Sequence, residues 1–258
     1  MVRTVGGERA FVKVTRVGAV DEADFRAEAR VAAALPPGVP SPRLLFTCEE
    51  AGWIVLGSQV APGRVPHEPW REEELAAALD ALTSCARELT PSPLAGLPTV
   101  AERMAGRCEI WNALDPSHAG TWERAHLPRL AEIERHWTDL VTGPTLLHFD
   151  PRFDNFLIDP HGTAHLVDWG RACTGPAWAD LVCLLLQSDL GPREAEPVFA
   201  AHPLGRDARP EQVDALLVAL LGYWTRTAAE PGPPHAPSLR ERRERSRRAA
   251  LAWLRGRW

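Results

Sequence analysis

The chain has 258 residues, 45% of them hydrophobic and 24% charged, with a net charge of -5, a balance that fits a globular protein and excludes a disordered or fibrous one. Its longest apolar runs, LVCLLL and ALLVALLG, fall far short of the roughly 20 residues needed to cross a bilayer, and its start lacks the apolar core of a signal peptide, so a cytoplasmic protein is expected. Five cysteines, Cys48, Cys85, Cys108, Cys173 and Cys183, include no C-x-x-C pair and read as reduced, mostly buried small hydrophobes rather than disulfide or zinc partners.

The elements begin with a hairpin: VRTV and the β-branched RAFVKVTRV flank Gly6-Gly7-Glu8 as the turn. DEADFRAEARVAAAL places acids in its first turn and helix formers along its length, and it stops at Pro36-Pro37-Gly38, so a helix is predicted. RLLFTCEE and WIVLGSQV, around a short AGW bend, predict a second hairpin. After Ala61-Pro62-Gly63 the pattern changes. Segments 71–89, 99–114, 118–140, 177–187 and 211–229 have helical period, and short strands are expected only near TLLHF, NFLID and AHLVDW. The fold class is therefore α+β, with a small β-rich lobe over 1–60 joined to a larger, mainly helical lobe over 61–258. No internal repeat is visible, and EPGPPHAPS, 230–238, is a short Pro-rich connection.

Charge is unevenly spread. Residues 238–258 hold eight Arg against two Glu, which leaves the rest of the chain at -11. Leu239, Ala250, Leu251 and Leu254 recur at helical spacing in that tail, so it predicts a terminal packing helix rather than a nucleic-acid arm. The acidic remainder suits a cationic small molecule, as it also suits plain solubility. Neither nucleic acid nor a membrane is an expected partner, and no pattern sets an oligomeric state.

The stretch LLHFDPRFDNFLIDPHGTAHLVDWG gathers His148, Asp150, Asn155 and Asp168 around a strand, a turn and a strand. Two acids and an amide are what a Mg²⁺-dependent phosphoryl transfer needs, because the ion prefers hard oxygen donors and a further carboxylate must orient the attacking hydroxyl. One basic residue also stands apart. Lys13 is the only lysine in a chain that otherwise uses arginine for every basic position.

The pattern H-x-D-x-x-x-x-N, followed after a hairpin by an Asp in D-W-G, resembles the aminoglycoside phosphotransferase family, small-molecule kinases with a two-lobed protein-kinase-like fold. Running from Lys13 to about Asp189, the resemblance implies that Asp150 is the catalytic base, that Asn155 and Asp168 hold Mg²⁺, and that His148 is structural. Arg152, two residues after Asp150, would offset charge on the transferring phosphoryl group. GPAWADL resembles the following segment of the family, in which Asp180 braces the catalytic loop. AFVKV would supply Lys13 to the α- and β-phosphates and FRAEARVAAAL would supply Glu28 to hold it. A compact ammonium fits there better than the wide planar fork of arginine, which accounts for the surviving lysine. WIVLGSQVAPG resembles the strand and hinge that hold adenine, with Ser58, Gln59, Val60 and Ala61 as hinge candidates and Phe11 and Val39 as wall or core. Trp169 and Trp178 are expected to shape the catalytic pocket.

What the resemblance implies for function is ATP or GTP as donor, Mg²⁺ as cofactor, and a small-molecule hydroxyl as acceptor: an aminoglycoside or other antibiotic, an amino alcohol or a sugar. The acceptor pocket is expected between the catalytic loop and the helices after about 185, where Asp189, Glu194 and Glu196 are either solvated loop positions, the favoured reading, or receivers of an aminated sugar. The family carries a strand and a Gly- or Ser-rich turn ahead of the lysine hairpin. This chain begins about one strand before Lys13, so the small lobe reads as truncated at its start, and Gly6-Gly7 reads as a hairpin turn rather than a phosphate loop.

Two rivals use overlapping residues. His148, Asp150, Asp154, His161, His165 and Asp168 have the ligand types of a Zn²⁺ or Fe hydrolase. Against this, His165 and Asp168 would face opposite sides of a regular strand, and His161 fits the Asp159-Pro160-Gly162 turn. The other rival is a nucleotide-binding relic of the same fold with little transfer activity, for which the short start is the support.

Overall fold

A computed structural model of the chain describes residues 1–3, 7, 9–230 and 238–258. The first part is a four-stranded antiparallel sheet of β1 (Val2–Arg3), β2 (Arg9–Arg16), β3 (Leu44–Glu50) and β4 (Trp53–Gln59), in the order β1-β2-β4-β3, with α1 (Glu22–Ala34) between β2 and β3. The strands of both expected hairpins pair, although Thr4, Val5, Gly6 and Glu8 of the first lie outside the described residues. Register decides what this sheet presents. Phe11 pairs with Ser58 and Lys13 with Leu56, and because directly opposed residues share a face, these four side chains stand on one side of the sheet. Gly57 sits beneath the ring of Phe46, where an added Cβ would lie 2.3 Å from the ring, so a side chain at this strand position would have to displace it.

The larger part is helical, with α2 (Glu72–Glu88), α3 (Val100–Met104), α4 (Thr121–Glu134), α5 (Trp137–Leu140), α6 (Ala179–Leu186), α7 (Ala195–Ala201), α8 (Pro203–Arg206), α9 (Pro210–Ala229) and α10 (Leu239–Arg257). Two short ribbons complete it: β5 (Thr145–Leu147) with β8 (Cys173–Gly175), and β6 (Phe156–Ile158) with β7 (Ala164–Leu166). α6 is apolar on all sides apart from Asp180 and is buried throughout, α9 buries Leu216, Leu217, Leu220 and Leu221, and the basic tail packs on α9 as α10. Four of the cysteines are buried and all five are free.

Three expectations are corrected. The segment 99–114 is helical only to Met104, because Gly106 takes φ +68 and the following turn finds a different acceptor. The buried Glu134 carboxylate of α4 accepts the backbone N–H groups of Ile110, Trp111 and Asn112 at 2.5, 2.7 and 2.9 Å, replacing helical carbonyls. The segment 118–140 divides into α4 and α5, with a 3₁₀ turn at Pro116–His118 before them. β8, α7 and α8 were not expected at all, since three to seven residues are too few to show a period.

The connection out of the sheet is strapped down. Gly63, at φ +114, runs so close to β6 that a Cβ would fall 2.2 Å from the Ile158 carbonyl oxygen, and Arg64 exchanges backbone hydrogen bonds with Ile158. Glu74, 2% exposed in the first turn of α2, accepts from the His67 backbone N–H at 2.8 Å and pairs with the Arg64 guanidinium at 2.6 Å and His67 Nδ1 at 2.8 Å. Burial raises the Glu74 carboxyl, but these partners outweigh it and hold it at about 2. A depressed carboxyl stabilises the fold above its ordinary value near 4.5, and that stability is lost as pH falls toward about 2. Glu74→Gln is therefore expected to be roughly 2–3 kcal/mol less stable than wild type at pH 6 by urea unfolding. The gap should narrow below pH about 4.5, and a gap independent of pH contradicts this account.

Candidate active site

The loop between β5 and β6 is held from below. Asp180, in the first turn of α6 and buried, accepts the backbone N–H groups of His148 and Phe149, each at 2.8 Å. Burial pushes the Asp180 carboxyl up to about 6 while the two N–H donors oppose it, so it is mainly ionised at neutral pH. Phe149 adopts φ +60, a conformation that a non-glycine residue keeps only where its surroundings dictate it, and the hydrogen bond to Asp180 supplies that constraint. His148 is fully buried, and burial lowers it to about 4. Its Nδ1 accepts the Asp150 N–H at 3.2 Å, which leaves the proton on Nε2, where it donates to the Val167 carbonyl at 2.8 Å. The neutral ring thus ties the 148–155 loop to the segment that follows β7.

On this platform the other side chains converge. Burial pushes Asp150 up to about 6 against the nearby Arg152 and Arg171. Arg152 lies between two carboxylates, 3.6 Å from Asp150 and 3.0 Å from Asp154. Asn155, 5% exposed, donates its amide nitrogen to the Asp150 carbonyl at 2.8 Å, so the carbonyl oxygen is the end of that amide left to meet a ligand. β7 stops at Leu166, and Asp168 turns away at φ +70 with its side chain half exposed. Lys13 reaches all of this from the sheet. Its ammonium is 2.8 and 2.9 Å from the two Glu28 oxygens and 3.1 Å from Asp168. Burial raises the Glu28 carboxyl, and Lys13 opposes the rise.

Two cavities meet at this cluster. A cleft of about 330 Å³ under the sheet is lined by Phe11, Lys13, Glu28, Ser58, Gln59, Val60 and Ala61, and on the opposite wall by Asn155, Asp168 and Trp169. Every expected hinge residue therefore lines one cleft with Lys13. Val39 does not; it is buried beside a neighbouring groove. Trp178 is also displaced from its expected place and packs in the core against Phe199, with ring centroids 6.5 Å apart. Ala32, Pro42, Leu44, Leu157 and Val167 complete the apolar lining without having been anticipated. Leu157 and Val167 had a signal in standing beside Asn155 and Asp168, whereas nothing in the sequence marked the other three.

A second cavity, of about 360 Å³, opens where an acceptor pocket was expected, between Asp150 and the helices α9 and α10. Its character differs from expectation. Asp189, Glu194 and Glu196 are absent from its lining; Asp189 binds the Gly191 N–H at 2.9 Å, and Glu196 is held by Arg257 at 2.7 Å and by Trp253. Among the described residues Asp150 is the one carboxylate there, surrounded by arginines. A more open crevice of about 480 Å³, lined by Lys13, Asp24, Asp150, Asp168 and Arg171, joins the region of the cleft to that of the cavity.

The transition-metal rival fails on geometry. His165 is paired with Asp159 at 3.2 Å, and among the described residues no group of three or more His, Cys, Asp or Glu side chains is arranged to hold a metal ion.

The profile of the phosphotransferase enzyme family matches residues 1–230. The chain belongs to that family. No curated protein sequence matches this phosphotransferase. Solved structures do. A thermostable mutant of aminoglycoside phosphotransferase APH(4)-Ia, in a ternary complex with ADP and hygromycin B, is 14% identical over 96% of this chain and 88% of its own, with a TM-score of 0.62. Choline kinase LicA from Streptococcus pneumoniae is 15% identical over 93% and 86%, with a TM-score of 0.60. A choline/ethanolamine kinase family protein from Mesorhizobium loti is 17% identical over 98% and 91%, with a TM-score of 0.57. At such identities the likeness speaks to fold, and it is the kinase-like fold that the sequence suggested: a small β-sheet region on a larger helical part.

The Asp180 platform makes a direct prediction for this phosphotransferase. Asp180→Ala strips two buried N–H groups of their acceptor and is expected to cost about 2–5 kcal/mol in urea unfolding. A loss under about 1 kcal/mol would mean that the loop is held by something else.

Proposed function

We propose that this phosphotransferase moves the γ-phosphoryl group of ATP or GTP onto a hydroxyl of a small molecule, with Mg²⁺ as cofactor. The observation that carries the reading is the Lys13–Glu28–Asp168 cluster lying between the hinge-lined cleft and the cavity that contains Asp150. Residues 1–60 form the nucleotide-binding lobe and 61–258 the lobe that carries the catalytic loop and acceptor pocket. Ser58, Gln59, Val60 and Ala61 bound the base, and Lys13, steadied by Glu28, meets the α- and β-phosphates. The donor set suits Mg²⁺: the Asp168 carboxylate and the Asn155 amide oxygen are hard, few, and leave positions for phosphate oxygens and water. When bound, the ion would shield the charge of the transferring group.

Asp150 orients the acceptor hydroxyl and takes its proton as the oxygen attacks phosphorus. A new O–P bond forms, the bond from the γ-phosphorus to the bridging oxygen breaks, and the nucleoside diphosphate leaves. With its carboxyl held near 6, Asp150 is ionised at neutral pH yet more basic than an exposed aspartate. Arg152, 3.6 Å away, offsets charge as the phosphoryl group passes. The neighbours crystallised with ADP or AMP-PNP support a nucleotide donor, and a cytoplasmic setting, where such donors abound, fits the reading.

Two substitutions separate the roles. Asp150→Ala is expected to lower the rate of nucleoside diphosphate formation by about 10²–10⁴-fold, with nucleotide affinity nearly intact; retained turnover removes Asp150 from the role. Asp168→Ala is expected to abolish the Mg²⁺-dependent part of nucleotide binding in calorimetry, and binding that still responds to Mg²⁺ as in wild type argues against it as a metal ligand.

A further inference from the structure

We propose that the acceptor is an anion, a small hydroxylated acid bearing a carboxylate or phosphate group, bound in the arginine-lined cavity beside Asp150. The proposal rests on the phosphotransferase reading above and names the substrate class for its acceptor site.

Three separate parts of the chain contribute the charge. Arg103 and Arg107 come from the end of α3 and the turn after it, Arg152 and Arg171 flank the reacting cluster, and Arg242, Arg243 and Arg245 come from α10. Against these seven guanidinium groups the lining offers, among the described residues, one carboxylate, that of Asp150.

Carboxylates outside the lining satisfy part of this charge. Asp154 meets Arg152 at 3.0 Å and Arg242 at 3.3 Å, Glu68 meets Arg245 at 2.7 Å, Asp24 lies 3.5 Å from Arg171 and 3.8 Å from Arg103, and Glu230 lies 3.7 Å from Arg243. With all of these included, the ensemble still holds two positive charges in excess. Arg107 has no carboxylate partner among the described residues, and the buried Nε–H groups of Arg103 and Arg242 find no acceptor there. Guanidinium groups gathered round one cavity repel each other, and an anion placed among them relieves that repulsion while gaining charge-assisted hydrogen bonds.

Arg152 and Arg171 flank the reacting cluster and also face the transferring phosphoryl group, but the nucleotide does not account for the rest of this charge. None of the α10 arginines lines the cleft or the crevice that hold Lys13 and Asp168, whereas Arg242, Arg243 and Arg245 line the cavity on the other side of Asp150. Phe149, Phe153, Tyr223 and Trp224 supply apolar wall, enough for a compact organic scaffold. A polycationic aminated sugar would meet a net excess of like charge. In the transfer itself the acid group stays bound to arginine, while a separate hydroxyl loses its proton to Asp150 and forms the O–P bond as the diphosphate departs.

The test is a charge series on one scaffold. Glucuronate, glucose 6-phosphate, glucose and glucosamine are titrated calorimetrically into the full chain saturated with Mg²⁺ and a non-hydrolysable ATP analogue, so that the nucleotide's own phosphate site is filled. At least one acid is expected to bind tenfold or more tighter than glucose, with glucosamine weakest, and whether glucuronate or glucose 6-phosphate leads tells carboxylate from phosphate. The Arg107→Gln/Arg243→Gln double variant is expected to lose tenfold or more of that acid affinity while its affinity for glucose stays the same. Equal affinities across the series, no acid binding at millimolar concentration, or, with ATP in place of the analogue, an acid that is not phosphorylated while glucose is, each overturn the proposal. Failure of the analogue itself to bind strikes the phosphotransferase reading instead, and the series repeated without it still reports on the cavity.

Discussion

One ammonium group joins three distant pieces of chain. Lys13 extends from β2, Glu28 from α1, and Asp168 from the turn after β7, and they meet within 2.8 to 3.1 Å at the mouth of the cleft. Partial burial is what gives the contact its strength, because charge pairs shielded from bulk water interact several times more strongly than exposed ones. Much of the surrounding structure is arranged to keep that meeting point. The register of β2 on β4 turns Lys13 and Phe11 to the same face as Leu56 and Ser58, the Glu74 strap holds the connection out of the sheet against β6, and His148 ties the loop of Asp150 to the carbonyl one residue before Asp168.

The cluster also explains why a chain so committed to arginine keeps one lysine. Two carboxylates converge on a single nitrogen with almost equal distances to Glu28, a geometry that a point-like ammonium satisfies and a planar fork does not. Elsewhere the arginines do what arginine does well. Arg257 joins Asp214 and Glu196, and Arg152 bridges Asp150 and Asp154. Arg242, Arg243 and Arg245 of α10 line the cavity that contains Asp150. The charge asymmetry of the sequence thus becomes spatial: an acidic body folds a basic tail against α9, and the tail adds three arginines to the four from the body in the cavity beside Asp150.

The parts legible in the sequence were those written in contiguous residues. The two hairpins, α1, α2, α9 and α10 carry strong periods, and the H-x-D-x-x-x-x-N spacing with its following Asp sits within one short stretch whose side chains do come together. What was missed depends on contacts across the chain. The helix expected over 99–114 ends at Met104 because Glu134, more than twenty residues later, caps the following turn. Trp178 resembled a pocket residue from its neighbour Asp180, yet α6 carries it into the core. The basic cavity was invisible because each contributing arginine, read alone among so many, looks like a solvated surface position; the acids near 190 drew attention only by their place in the chain.

The most direct measurement of the central claim is the calorimetric affinity of Lys13→Arg for Mg²⁺-ATP, taken beside wild type with folding verified by thermal unfolding. If a compact ammonium between Glu28 and Asp168 is what receives the nucleotide phosphates, the variant keeps its charge and its fold but loses tenfold or more in affinity. A Lys13→Arg protein that binds Mg²⁺-ATP as tightly as wild type would contradict that claim.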